Sequence, residues 1–475
     1  MKNSYKRLGV QIPEILLPAK GTDLTRWSVI ACDQYTAQPD YWLKVAEEVG
    51  DSPSTLKLTF PEVYLKDDDR EERINRINET MVQYMANGVL ELQKAGFILV
   101  DRSTPHAASR KGLIIAVDLE CYDYRAGSQA LIRATEGTVL DRIPPRVKIR
   151  ENAPIELPHI MLLIDDPEKT VIEKLYEQAG DFEKLYDFEL MQGGGHIRGW
   201  KVEDAQSLAL VAAALEKLAD PAAFDKKYSP EHGDSTHGAN RPDNSTSGVL
   251  LFAVGDGNHS LASAKAHWEN VKAALPQEEI SSHPARYALV EVVNVHDDGL
   301  VFEPIHRLLF GVNSSTVLEK IMSIANSDLT SRQDHEGRIS AEYTLYDSKA
   351  SMEAAIDSMK SSKPRSTHLL PFILEGTFGL ITVHNAVSSL EVGTLQCFID
   401  ELIKNEPGME VDYIHGEQVV TGLGSQKGSM GFYLSVMDKH DLFRTVIRDG
   451  VLPRKTFSMG EAEEKRYYLE CRKIR

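Results

Sequence analysis

The pattern of apolar and polar residues along the chain switches repeatedly between short apolar runs and helical periodicity. The clearest run, at 249–254, is too short and too uniformly apolar for anything but a buried strand. A polar Gly-Asp-Gly-Asn-His-Ser loop follows at 255–260, and helix-forming residues continue from Leu261. The same order of strand, turn and helix is expected at 157–175, with Pro167 suited to the first helical turn. This alternation predicts an α/β fold, with polar loops where strands end.

Other elements follow from the same reasoning. Apolar residues at helical spacing predict a surface helix over 68–92, and apolar runs predict strands over 112–122 and 130–138. The segment 467–471 alternates like an edge strand.

The length of 475 residues indicates two to four domains. We predict an N-terminal α/β segment at 1–125, a central domain at 126–312 and a C-terminal α/β domain at 313–475. The polar stretch 228–247 has almost no apolar residues, so we expect an exposed loop inside the central domain. Both a lid over a pocket and a solvated insertion fit that composition.

Composition excludes several classes of protein. The chain is 42% hydrophobic and 26% charged, and it has no apolar run near the roughly 18 residues of a membrane span. A net charge of −18 would repel a phosphate backbone, so nucleic acid is not an expected partner. The start of the chain lacks a secretory h-region, and the four cysteines are widely spaced. We therefore expect a cytoplasmic protein with reduced thiols and no membrane partner, and a homo-oligomer is compatible with the sequence.

The 255–260 loop is the first candidate site. A loop at a helix N-terminus offers unpaired N–H groups to an anion, and Gly255 and Gly257 let that anion approach the main chain. Asp256 could hold a metal ion or take a proton, and His259 could bind phosphate or shuttle a proton, while Asn258 and Ser260 complete the loop. In the alternative, Asp256 only caps the helix and His259 packs beneath it.

A second cluster lies at 133–146. Arg133, Arg142 and Arg146 could clamp an anionic ligand with their planar guanidinium groups. Glu136, between them, could act as a general base. Salt bridges among these residues would explain the same composition.

The third cluster lies at 296–307. Asp297 and Asp298 could offer oxygen ligands to a metal, and His306 and Arg307 form a cationic pair. Asp-Asp-Gly is also an ordinary turn, which we favour over a metal site. Two further histidines, His159 and His415, lie beside strand-like segments and are interpreted as core residues.

Several stretches together suggest a family. They are Gly-Asp-Gly-Asn-His-Ser-Leu-Ala at 255–262, Arg-x-x-Glu-x-Thr at 133–138, Asp-Gly-Leu-x-x-x-Pro-x-His-Arg at 298–307, Pro-Arg-Lys-Thr at 453–456 and the opening segment 29–42. In combination they resemble the bacterial family known as domain of unknown function 1015, over nearly the whole chain. The common central motif of that family, Asp-Gly-His-His-Arg, is similar to the phosphate-contacting loop of the ParB/sulfiredoxin superfamily, which includes archaeal kinases of free serine.

The resemblance implies a ParB/sulfiredoxin-like central domain that binds ATP or ADP with Mg²⁺. This chain keeps Asp256, Gly257 and His259 of the motif, but Asn258 replaces a histidine and Ser260 replaces the arginine. Arg133 or Arg307 is expected to supply the missing charge.

The favoured hypothesis is a phosphotransferase that moves a phosphoryl group from a nucleotide to a small hydroxyl compound, with free L-serine as one candidate. In it Glu136, Asp256 and His259 are catalytic. Asp256 also orients Mg²⁺, and the remaining site residues bind the nucleotide. These are Gly255, Gly257, Asn258, Ser260, Arg133, Arg146, His306 and Arg307. The alternatives are a nucleotide-binding switch without metabolite turnover, and a phosphohydrolase with a metal held by Asp256, Asp297 and Asp298.

Overall fold

The structure is a computed structural model that describes residues 2–228, 248–326, 339–364, 366–388 and 390–475. Almost all of the predicted polar loop 228–247 therefore lies outside the described residues. The described chain divides into two compact units, of which the first comprises 2–228, 248–301 and 459–475 and the second 302–458. The second unit is thus an insertion in the sequence of the first.

The helices, in chain order, are α1 (Lys2–Arg7), α2 (Leu24–Trp27), α3 (Pro39–Val49), α4 (Arg70–Ala86), α5 (Ile143–Arg150), α6 (Ile172–Tyr176), α7 (Ala205–Leu218), α8 (Pro221–Tyr228), α9 (Asn258–Ala273), α10 (Val317–Ala325), α11 (Lys349–Lys360), α12 (Glu391–Asn405), α13 (Glu417–Gly424) and α14 (Leu442–Asp449).

The strands, in chain order, are β1 (Val10–Gln11), β2 (Leu16–Pro18), β3 (Leu90–Leu92), β4 (Phe97–Ser103), β5 (Arg110–Asp118), β6 (Tyr122–Asp123), β7 (Ile132–Ala134), β8 (Ile155–Glu156), β9 (Met161–Ile164), β10 (Lys184–Glu189), β11 (His196–Val202), β12 (Phe252–Asp256), β13 (Tyr287–Asn294), β14 (Phe302–Phe310), β15 (Ser340–Tyr346), β16 (His368–Leu374), β17 (Thr377–His384), β18 (Glu410–His415), β19 (Ser429–Phe432), β20 (Phe457–Met459) and β21 (Arg472–Lys473).

The first unit is built on one mixed sheet in the order β10-β11-β4-β5-β13-β9-β12-β7-β6, with β1 paired to β5. Its central strands are buried on both faces, as the uniformly apolar run of β12 predicts. Leu261 and Trp268 of α9 lie in the same core as Phe252 and Val254 of β12. The predicted strand and helix on either side of the 255–260 loop are therefore confirmed.

The second unit has its own sheet, ordered β15-β17-β16-β19-β14-β18, with β20 paired to β14. Residues of α10 and α12 share an apolar core with β14, β16, β17 and β19. The chain is thus of mixed α/β class, as predicted. No helix among the described residues is long and apolar enough to cross a membrane.

The division into three sequential domains differs from the two observed units. Strands β4 and β5 lie in the predicted segment 1–125 and strands β9 and β13 in the predicted segment 126–312, yet β5 pairs directly with β13. A boundary near residue 125 would cut this sheet. Pairing between strands distant in the chain leaves no mark in local composition, so the sequence does not indicate that β5 and β13 share a sheet.

Two predicted elements require correction. The helix expected from Pro167 begins at Ile172, because Asp166 Oδ2 accepts hydrogen bonds from the N–H groups of Thr170 at 2.6 Å and Val171 at 2.9 Å and holds the preceding residues in a turn. The predicted helix over 68–92 is confirmed over Arg70–Ala86 as α4, whereas Leu90–Leu92 form strand β3.

The segment 467–471 is not an edge strand. It makes isolated bridges to Ile30 and Leu16 and is buried throughout. Arg466, immediately before it, is buried between the carboxylates of Glu291 and Glu470 and pairs with both. Buried ion pairs of this kind are strongly destabilised by the loss of one partner, so they fix the segment within the first unit.

Candidate functional site

The turn between β12 and α9 depends on two glycines. Gly257 is the N-cap of α9 with φ +80°, and a Cβ there would lie 3.1 Å from Ile160 Cα. A Cβ at Gly255 would lie 2.8 Å from Leu163 Cγ and 2.8 Å from Met459 Sδ. Both glycines are therefore required by backbone conformation and packing. Their presence alone is not evidence for an anion.

Asp256 is a fixed carboxylate at the end of β12. Its Oδ1 accepts a hydrogen bond from the N–H of Gly257 at 2.9 Å, and its Oδ2 lies 3.3 Å from Lys465 Nζ. Lys465 is almost buried and also donates to the carbonyl of Met459 at 3.1 Å. The ammonium of Lys465 therefore lies beside the loop, and this residue belongs to none of the sequence motifs.

The surroundings of Asp256 do not fit the predicted metal ion. The ammonium of Lys465 already occupies one side of the carboxylate and would repel a divalent cation there. Across the described ranges, His, Cys, Asp and Glu side chains form no group of three that could hold a metal. We therefore derive no step through Mg²⁺.

Asn258, the first residue of α9, carries a buried acceptor. Its side chain is 8% exposed, its Nδ2 lies 3.5 Å from Thr135 Oγ1, and its Oδ1 has no hydrogen-bond partner among the described residues. Gly257 supplies no side-chain cap to the helix. Buried polar atoms are rarely left unpaired, so the start of α9 retains hydrogen-bonding capacity that a ligand could use.

His259 links α9 to the segment that follows β7. Its Nε2 accepts a hydrogen bond from the backbone N–H of Val139 at 3.2 Å. A ring nitrogen that accepts carries no proton, so the hydrogen of the neutral ring is on Nδ1 in this arrangement. His259 thereby fixes the loop that contains Glu136 against the start of α9.

Glu136 follows strand β7 and lies at the same edge of the sheet as Asp256. Strands β7 and β12 are parallel neighbours with Ala134 opposite Val254. Glu136 and Asp256 each follow these paired residues by two positions, so both lie at the same end of the two strands. Glu136 is half-buried. The structure thus brings Glu136 of the second predicted cluster to the same edge of the sheet as Asp256 of the first, although it does not test the role of either carboxylate.

His159 joins the loop to two distant parts of the chain. Its Nε2 lies 3.0 Å from Ser260 Oγ and 3.5 Å from Asp33 Oδ2, and its Nδ1 lies 2.9 Å from Tyr468 OH. Burial lowers the pKa of His159, but the combined effect of Asp33, Asp256 and Glu62 raises it overall. The histidine is buried, as predicted, and it lies beside the start of α9.

Arg146 forms a partly buried ion pair with Glu62 and donates to the carbonyl of Arg142 at 2.8 Å. Burial raises the pKa of Glu62, while Arg146 acts in the opposite direction. The alternative of salt bridging thus describes Arg146 better than the predicted phosphate clamp.

Arg133 is not beside Asp256. It donates through Nε to the carbonyl of Ala130 at 2.8 Å and through Nη2 to that of Gly248. These carbonyls precede β7 and β12, at the opposite end of both strands from Asp256. Burial lowers the pKa of Arg133 to about 10. Arg133 therefore does not lie at the end of β12 where a phosphate ligand was expected.

The predicted cationic pair, His306 and Arg307, is buried in the interior of the second unit. Nδ1 of His306 accepts from the N–H of Leu434 at 3.1 Å, and burial lowers the pKa of this histidine. Arg307 is fully buried and donates to Gln396 Oε1 at 3.0 Å and to the carbonyl of Ile305 at 2.7 Å. These contacts of the pair lie within the second unit and do not support the prediction that it binds the nucleotide.

The Asp-Asp-Gly sequence forms the ordinary turn that we favoured. Asp297 Oδ1 accepts from the N–H of Gly299 at 2.8 Å, and the side chain of Asp298 is 96% exposed.

Residues from three other regions of the chain contact the loop or the side chains that flank it, and the sequence motifs did not predict them there. Asp33 lies in the 29–42 segment, which the family resemblance had singled out, and that signal could have identified it. Glu62, Lys465 and Tyr468 belong to none of the motifs. The site residues that sequence reasoning missed are Asp33, Glu62, Lys465 and Tyr468.

The chain belongs to the family described as protein of unknown function (DUF1015), whose sequence model matches residues 16–401. No curated protein matches it significantly.

Solved structures show only weak similarity. A conserved hypothetical protein from Pyrococcus furiosus is 10% identical with a TM-score of 0.34, over 75% of this chain and 90% of that one. A mutant free serine kinase in complex with AMP is 9% identical with a TM-score of 0.39, over 79% and 95%. A mutant in complex with ADP is 8% identical with a TM-score of 0.37, over 76% and 92%. Scores at this level carry no argument about this chain.

Proposed function

We propose that the first unit binds the phosphates of a nucleotide at the start of α9 and transfers a phosphoryl group to a small hydroxyl compound, with free L-serine as one candidate. The observation that carries this proposal is the start of α9, which has no side-chain cap and lies beside the Asp256–Lys465 pair. Helix N-termini bind phosphate through their free N–H groups and positive dipole.

The charges around the loop support a phosphate ligand. Lys465 lies beside Asp256 and His159 lies beside Ser260, and both are held in place by neighbouring side chains. They replace the arginine that the family motif has and this chain lacks. Phosphoryl transfer depends mainly on positioning and on neutralisation of phosphate charge, which fixed cations provide.

Glu136 is the proposed general base. In the transfer, the acceptor oxygen forms a bond to phosphorus, the bond to the bridging oxygen of the nucleotide breaks, and the hydroxyl proton passes to the Glu136 carboxylate. Nucleotide leaves with its shortened phosphate chain. His259 is assigned the positioning of the Glu136 loop through Val139, and Asp256 the positioning of Lys465.

A nucleotide-consumption assay with a panel of hydroxyl compounds tests this function. The Glu136→Gln variant should reduce turnover about 10²–10⁴-fold, the usual effect of removing a general base, while nucleotide binding measured by thermal shift is retained. Glu151→Gln is the matched control, because Glu151 is an exposed carboxylate that pairs only loosely with Lys148 at 3.3 Å.

Two outcomes would contradict the proposal. Full turnover in Glu136→Gln would exclude that residue as the base. Nucleotide binding in the wild type without any acceptor-stimulated consumption would favour a nucleotide-binding switch that does not turn over a metabolite. The metal-dependent hydrolase would need Asp256, Asp297 and Asp298 as ligands, whereas Asp256 is paired with Lys465 and Asp297 Oδ1 accepts from the N–H of Gly299.

A further inference from the structure

Strand β15 lies at one edge of the sheet formed by the described residues of the second unit. This strand ends the sheet order and pairs, among the described residues, with β17 alone. Residues 342–345 are exposed, and they include the large apolar side chains of Tyr343, at 42%, and Leu345, at 51%. An exposed edge of this length is a template for pairing with another strand.

The outward-facing backbone groups of β15 can be assigned. The N–H of Ala341 donates to Asn326 Oδ1 at 3.2 Å rather than to β17, so it points away from the sheet. Backbone groups in an antiparallel strand alternate in direction from one residue to the next. The N–H and C=O groups of Tyr343 and Leu345 therefore also point outward, whereas those of Thr344 face β17.

The edge lacks the features with which proteins usually block such pairing. Residues 340–346 contain no lysine and no proline, and Glu342 is their only charged residue. That carboxylate lies 3.6 Å from His384 Nε2 on the adjacent strand. The strand therefore offers an apolar edge with little charge to repel a partner.

We propose that β15 pairs antiparallel with β15 of a second copy of this chain, about a two-fold axis at Thr344. In this register Tyr343 faces the partner's Leu345, Thr344 faces the partner's Thr344, and Glu342 faces the partner's Tyr346. The two exposed apolar side chains cover each other, and no like charges are opposed.

The hydrogen bonds select this register. Centring the axis on Thr344 makes Tyr343 and the partner's Leu345 a pair that exchanges both backbone hydrogen bonds, and symmetry repeats the exchange. Centring it on Tyr343 would instead require the N–H of Ala341, which Asn326 already occupies. The pairing therefore gives hydrogen-bond partners to the N–H and C=O groups of Tyr343 and Leu345, which point away from β17.

Sedimentation equilibrium of the full chain tests the interface. The wild type should be dimeric at micromolar concentration, and Leu345→Lys should be monomeric because two ammonium groups would enter the apolar pair. Val419→Lys, which changes another apolar residue that is 51% exposed in the same unit, is the matched control and should remain dimeric. A monomeric wild type, or a dimer that persists in Leu345→Lys, would overturn the proposal.

Cross-linking tests the register separately. In a chain carrying Cys397→Ser, which removes the exposed native thiol, Thr344→Cys should form a disulfide-linked dimer on mild oxidation, because directly opposite residues have Cβ atoms about 4.5–5.5 Å apart. Glu342→Cys should cross-link far less, since its symmetry mate would lie several residues along the strand. Equal cross-linking at both positions would refute the register. The proposal concerns the second unit and is independent of the function assigned to the first.

Discussion

The turn at Gly257 allows a quantitative test of how the start of α9 is constructed. Replacing this glycine by alanine adds one methyl group at a position with φ +80°. Left-handed backbone costs a residue with a Cβ about 1–2 kcal/mol. The new Cβ would also lie 3.1 Å from Cα and Cγ1 of Ile160, closer than ordinary van der Waals contact. Overpacking of this kind adds about 1–3 kcal/mol.

Gly127 offers a matched control in the same unit. It also has positive φ, at +76°, but a Cβ there would meet no atom within 4 Å. Gly127→Ala should therefore cost only the conformational part, about 1–2 kcal/mol. Gly257→Ala should cost about 2–5 kcal/mol, the sum of the conformational and packing penalties. The difference between the two variants isolates the contact with Ile160.

Urea unfolding followed by tryptophan fluorescence measures this difference. A chain with two compact units need not unfold in one step, so the probe must report on one of them. The chain has four tryptophans, and all of them lie in the first unit. They are Trp27, Trp42, Trp200 and Trp268. Equal losses in unfolding free energy for the two variants would refute the argument that close packing against Ile160 demands a glycine at residue 257.

Two further predictions concern buried charge in the first unit. Arg466→Met should lower the unfolding free energy of this unit by about 3–5 kcal/mol, because two buried carboxylates lose their partner. In the same urea titration the control Arg76→Met, which removes an exposed ion pair, should cost less than about 1 kcal/mol, and similar losses for the two variants would contradict the argument. Asp33 raises the pKa of His159 against the effect of burial. The stability that the protonated ring contributes is therefore present below the pKa of this histidine in the unfolded chain, and it is lost as the pH rises through its pKa in the folded protein. His159→Gln should therefore destabilise the protein more at about pH 5.5 than at about pH 9, and a loss that does not change with pH would exclude a protonated ring.

The sequence predicts local parts of the candidate site and misses its distant parts. Strand β12, the glycine turn and α9 are consecutive, so periodicity and turn chemistry were enough to identify them. Tyr468 is 309 residues from His159, and no local pattern connects the two. Lys465 is likewise distant in the sequence from Asp256, and no local pattern connects these two residues.

Arginines account for the main errors in the predicted site. The guanidinium of Arg133 or Arg307 can donate equally well to a phosphate or to a backbone carbonyl, and the sequence does not distinguish these partners. In the structure both residues bind carbonyls within their own unit. The assignment of a cation to the loop required the position of Lys465, which only the folded chain provides.

The placement of residues 459–475 in the first unit has a consequence for the order of folding. During synthesis these residues emerge after the whole of the second unit, yet they contribute Lys465, Arg466 and Tyr468 to the first. Until then the ion pair of Arg466 with Glu291 and the contact of Lys465 with Asp256 cannot form. The strands of the second sheet lie within residues 302–459, so that sheet can form while the first unit still lacks these contacts. The contacts around Asp256 are therefore completed only after the second unit has been synthesised.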